Sequence, residues 1–148
     1  MNIMNWKRLS LTAATIFVIG LAWNGLIHGL VLRDANEALD GVARPLAQRP
    51  LALGLALTVG IAVLFAYSYA AFVRTPGVKR ALGHGVFFAL LTGLLVDLNQ
   101  YVLYPIPASL AAAWFVFGLI EFCLYGVVAC WLYPFPATID GTRGSGAS

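Results

Sequence analysis

Residues 51–73 read LALGLALTVGIAVLFAYSYAAFV, an unbroken run with no charged side chain and no proline, held between Arg49-Pro50 and Arg74. At about 1.5 Å of rise per residue, a helix of this length crosses the roughly 30 Å of hydrocarbon in a bilayer. Inside lipid no water satisfies backbone N–H and C=O groups, so an apolar segment that long is stable as a helix that satisfies them itself. Working outward, long apolar runs lie between Arg8 and Arg33, between Arg80 and Asp97, continuing apolar past Asp97 to Leu103, and between Pro107 and Pro134 with Glu121 inside it. The sequence therefore predicts an all-α integral membrane protein, an antiparallel four-transmembrane-helix bundle running up-down-up-down. Its helices are expected near 9–31, 51–73, 81–104 and 108–133, as one membrane domain over 9–133 with a longer outer loop at 32–50.

Composition points the same way. Of 148 residues, 61% are hydrophobic and only 10% charged, with a mean hydropathy of +0.86, whereas a soluble domain is about half apolar and roughly a quarter charged. Such a chain cannot clothe itself in polar surface. The net charge of +3 and pI near 9.1 do not argue for nucleic acid, because the basic residues flank the apolar runs instead of forming a stripe with exposed aromatics. Proline agrees with the boundaries: Pro45, Pro50, Pro76, Pro105, Pro107, Pro134 and Pro136 fall in links or at helix starts, where a missing N–H costs little.

Cytoplasmic flanks carry an excess of Lys and Arg. Lys7 and Arg8 precede the first run, Arg74, Lys79 and Arg80 separate the second and third, and Arg143 follows the fourth. The turn Tyr104-Pro105-Ile106-Pro107 carries no charge, and in the first loop Arg33, Arg44 and Arg49 are balanced by Asp34, Glu37 and Asp40. Both ends are thus expected in the cytoplasm, with residues 1–8 as a short inner segment and 134–148 as a flexible tail. The compactness of the chain suggests the inner (plasma) membrane of a bacterium. The run at 9–32 is too long for a cleaved signal and lacks a small-x-small site, so it reads as a retained anchor. In the loop, Asp34-Ala-Asn-Glu-Ala-Leu-Asp-Gly41 reads as a short capped helical turn, with Leu39, Val42 and Leu46 toward the membrane surface.

Helices in lipid associate through small residues and buried polar groups. The third run places Gly85, Ala89 and Gly93 on one stripe, with Asp97 and then Tyr101 as its continuation. The first offers Gly25-x-x-x-Gly29 beside Asn24 and His28, the second Ala52, Ala56 and Gly60, and the fourth Gly118 with Glu121 and Tyr125. Gly20-Leu-Ala-Trp-Asn24 faintly echoes Gly93-Leu-Leu-Val-Asp97.

Counting rise per residue puts Asn24 and Asp97 about 10 Å inside the outer boundary, His28 and Gln100 nearer to it, and Glu121 close to the midplane. Asn24, His28, Asp97, Gln100, Tyr101 and Glu121 are therefore the expected members of one polar cluster. A charge at the bilayer centre costs about 2.5–3.5 kcal/mol on insertion scales, and no Lys or Arg lies inside any span to offset two acids. Proton uptake, hydrogen bonds from Asn24, Gln100 or the tyrosines, pairing with His28, or a bound cation are the available compensations.

The cluster is expected to bind or transport a proton, a cation or a small polar solute. The alternatives are helix-to-helix glue in an accessory subunit of a larger membrane complex, or the acid–base centre of an enzyme acting on a lipid or quinone. The last lacks a nucleophile or a metal set. The expected partners are the bilayer and either further copies of the chain or a larger complex, with no nucleic acid, catalytic residue, metal or cofactor foreseen. His28 and His84 lie near opposite ends of their helices, which disfavours a shared haem. Cys123 and Cys130, roughly 10 Å apart along one helix, are too distant for a disulfide. Ser10, Ser68 and Ser109 have no base at helical neighbour spacing.

Overall fold

The computed structural model describes residues 4–73 and 75–134, so the tail beyond Pro134, with Arg143, and the position of Arg74 lie outside the described residues. Among the described residues there is no strand, and four helices are long and apolar enough to cross a membrane. They are α1 (Trp6–Val31), α2 (Leu51–Phe72), α3 (Val78–Leu103) and α4 (Ala108–Leu132). The protein is a multi-pass helical membrane protein.

Two helices start earlier than hydropathy alone suggests. Apolarity marks where lipid begins, while the backbone coils from the nearest cap. Asn5 caps α1, its side-chain oxygen accepting the Arg8 backbone N–H at 3.1 Å, so Lys7 and Arg8 are already helical. Before α3 the chain turns at Gly77 with φ +136°, a conformation that needs glycine, and coiling begins at once. In the loop, Ala35–Leu39 forms a single 3₁₀ turn and Gly41 has φ +81°, while the Leu46 side chain lies outside the described residues.

Neither α1 nor α3 is a plain α-helix. The last five residues of α1, Ile27–Val31, and the middle of α3, Gly93–Asp97, are wound as wider π-turns, features often found at functional sites.

The buried core lies toward one end of the bundle. It unites Leu9, Ala13 and Ile16 of α1, Ala62, Phe65 and Tyr69 of α2, Ala81 and Phe88 of α3, and Phe122 and Ala129 of α4. Phe65 is fully buried, with ring centroids of His84, Phe88, Tyr125 and Phe122 at 4.9, 5.0, 5.7 and 6.0 Å, mostly edge-to-face as the ring quadrupoles prefer. The Asn5 backbone N–H donates to the Tyr133 hydroxyl at 3.1 Å, fastening the start of α1 to the end of α4.

The tightest pair is α3 with α4, which meet at backbone level. A Cβ on Gly85 would overlap the Phe122 carbonyl, and one on Gly126 would overlap the Ala81 carbonyl. Ala81 and Gly85 thus oppose Phe122 and Gly126, a reciprocal small-residue contact of the kind lipid-embedded helices use. Ala89 and Gly93 lie on the same contact side of α3, Gly93 against the Phe115 ring.

Two expected small-residue faces are not contacts. Gly25 and Gly29 have no atom within 4 Å of where a Cβ would stand, and Gly60 is equally open. Ala52 and Ala56 are exposed. The α1 glycine that does pack is Gly20, where a Cβ would overlap the Tyr125 hydroxyl. The reason is local: the second half of α1, Ile27 apart, and the first half of α2 bury little against their neighbours.

Candidate functional site

The other half of the bundle holds a cavity of about 420 Å³, walled by the second half of α1, the second half of α3 and the first half of α4, with Ile61 from α2. Asn24, His28, Asp97, Gln100 and Glu121 all line it. The two π-turns sit at its edge, since His28 belongs to one and Asp97 ends the other. Tyr101 is not among the lining residues and is 47% exposed. The α3 side facing the cavity runs through Thr92, Val96, Asp97 and Gln100, which turns Tyr101 away.

Glu121 is held. The Asn24 side-chain amide donates to its Oε1 at 2.9 Å and also to the Gly20 carbonyl at 2.9 Å, and the Tyr125 hydroxyl donates to the same Oε1. Gly20 makes this possible, because any side chain there would occupy the space of the Tyr125 hydroxyl. A carboxylate that accepts two hydrogen bonds on one oxygen is fixed in orientation and partly compensated.

Asp97 is arranged differently. Its Oδ2 lies 3.9 Å from where a Cβ of Gly118 would stand, one helical turn along α4 from Glu121, and no hydrogen bond reaches it among the described residues. The site therefore pairs one immobilised acid with one uncommitted acid. His28 lines the cavity, and its backbone carbonyl accepts from the Asn36 side chain at 3.1 Å, tying the loop to the end of α1.

The chain matches no protein-family model, no curated protein and no solved structure. The chemistry of the site must therefore be read from its own residues.

Among the described residues, no three of His, Cys, Asp and Glu come together closely enough to share a metal ion. The remaining walls are aromatic and aliphatic, with Trp23, Trp114, Phe117 and Phe122 facing the polar groups. The Trp114 Nε1 atom is buried without a hydrogen-bond partner. These aromatics, and Gly20, were not singled out by sequence reasoning as site residues. Gly20 had a signal in its echo of Gly93, since both glycines pack tightly and the polar residue four positions on, Asn24 or Asp97, lines the cavity.

A second polar contact lies in the packed half, where Ser68 Oγ and His84 Nε2 are 3.1 Å apart. A histidine that Ser68 lacks along its own helix thus stands beside it across the bundle. Ser68 also donates to the Phe65 carbonyl at 3.0 Å, and the His84 ring is packed among Phe65, Tyr69 and Phe88. No carboxylate hydrogen-bonds to His84 among the described residues, so the arrangement has no third group to orient a base and serves as a polar fastener. His84 does not line the cavity that His28 lines.

Proposed function

We propose that this protein binds, and moves across the bilayer, a proton, a cation or a small polar solute at the Asp97–Glu121 cavity. The observation that carries the reading is that five polar side chains from three helices, two of them acids, line one cavity of about 420 Å³. Packing alone does not account for this, because an acid inside a span is costly and marks ion or substrate pathways when it faces a bundle interior. In the same reading the four helices run up-down-up-down with both ends in the cytoplasm, which places the cavity in the outer half and the aromatic core in the inner half. The basic residues beside Asn5 and Gly77 favour that orientation. The host bilayer proposed is a bacterial inner membrane, on the compactness of the chain.

The test is native mass spectrometry of the gently extracted protein beside its Asp97→Asn and Glu121→Gln variants, with flux in vesicles as the second readout. The expected outcome is a reproducible small bound mass or a pH-dependent flux in the wild type, lost in both folded variants. Unchanged binding and flux in the two variants would overturn the reading.

One observation favours a second role, as an accessory subunit. Gly25, Gly29 and Gly60 are open on adjoining helices, a surface that a partner helix could approach closely. In that case the extracted protein travels with larger, different chains, and Gly29→Leu releases them while Asp97→Asn does not.

A further inference from the structure

The cavity specifies more than a polar solute. We propose that its ligand is an organic ammonium cation, with the charged nitrogen paired to Asp97 and its carbon substituents against Trp23, Trp114, Phe117 and Phe122. This inference rests on the binding reading above and narrows it to a chemical class.

Size is the first argument. A space of about 420 Å³ falls in the range of small-molecule pockets, roughly 300–1,000 Å³, and far exceeds what a bare ion or a single water of about 30 Å³ fills. A dehydrated metal ion would need several converging ligands, and the acids and His28 do not converge to that degree among the described residues.

Charge is the second. The lining includes two carboxyl side chains and neither Lys nor Arg, which rejects anions. Glu121 is already engaged by Asn24 and Tyr125, whereas Asp97 has no hydrogen-bond partner among the described residues and is free to meet an incoming charge.

The third argument is what surrounds the charge. A strongly hydrated inorganic cation or a polyol would face tryptophan and phenylalanine over most of the wall and find too few donors and acceptors. An ammonium with carbon substituents uses both features, since aromatic faces attract such cations by about 0.5–2 kcal/mol each and its apolar part leaves water. Asn24 and His28 are exposed, so the cavity is reachable from the flank of α1.

The experiment uses the full-length protein in lipid nanodiscs and follows the fluorescence of Trp23 and Trp114 on titration. The probes are phenyltrimethylammonium, its neutral isostere tert-butylbenzene, sodium and magnesium chloride, and glycerol. Phenyltrimethylammonium is expected to saturate the signal and to bind at least about tenfold more tightly than tert-butylbenzene. Asp97→Asn should weaken it about tenfold or more, and Gly118→Leu, which fills the cavity beside Asp97, should abolish it. Trp6→Phe and Trp131→Phe, on the two exposed tryptophans outside the cavity lining, control for signal from elsewhere.

Equal binding of the neutral isostere, or ammonium binding indifferent to both Asp97→Asn and Gly118→Leu, overturns the inference. If sodium, magnesium or glycerol binds with Asp97 dependence and the ammonium does not, the ligand class falls while the broader binding reading stands. If no probe binds and both acid variants keep wild-type flux, the two fall together.

Discussion

The two halves of this bundle are built from the same kind of helix but do opposite things. In the half containing Leu9, Phe65, Ala81 and Tyr125, glycines let backbones touch and aromatic rings interlock around Phe65. In the half containing Asn24, Asp97 and Gly118, Gly25, Gly29 and Gly60 meet open space and the helices stand around a cavity. Since lipid is as apolar as leucine, helix contact depends on close packing and not on apolar burial. A segment as hydrophobic as 51–61 can therefore contribute nothing to the core, while 62–69 supplies its centre. One half is scaffold, and the other is held open by it.

The comparison can be broken most forcefully at the α3–α4 contact. Gly85→Leu drives a side chain into the Phe122 backbone and should lower stability by about 3 kcal/mol or more, enough to lose folded protein in detergent. Phe65→Ala empties the centre of the ring cluster and should cost about 3 kcal/mol, read as a fall in the thermal midpoint. Tyr125→Phe removes one hydrogen bond to Glu121, with an expected cost of about 1 kcal/mol and a clear weakening of ligand binding. In the open half, Gly29→Leu should change stability by no more than about 0.5 kcal/mol, because nothing stands within 4 Å. A large loss there would show that the open surface is covered in the working protein.

Much of this was legible in the sequence. Long apolar runs located all four helices, and rise per residue grouped Asn24, His28, Asp97, Gln100 and Glu121 as one cluster, all five of which line the cavity. The failures share a cause. Gly25-x-x-x-Gly29 has the form of a packing motif, but a motif states which side of a helix could be approached, not whether a neighbour stands there, and the α1 contact runs through Gly20. Tyr101 was assigned by a straight four-residue step from Asp97, at the end of a π-turn whose effect on register no local pattern announces. The Ser68–His84 pair joins two helices, and spacing along one helix cannot reveal it. The aromatic walls escaped notice because a sequence encodes depth more plainly than facing.

The central claim is that one half is a closed scaffold and the other a cavity accessible to water and positive charge. It is tested most directly by single-cysteine labelling in reconstituted vesicles, with Cys123 and Cys130 replaced by alanine. A cysteine is placed by Gly118→Cys in the cavity or by Ala89→Cys in the core, where Ala89 is only 2% exposed. The account predicts that the Gly118→Cys variant reacts with a cationic methanethiosulfonate several-fold faster than with its anionic counterpart, and that the Ala89→Cys variant reacts with neither. Silence at position 118, or equal labelling at both positions by both reagents, would contradict it.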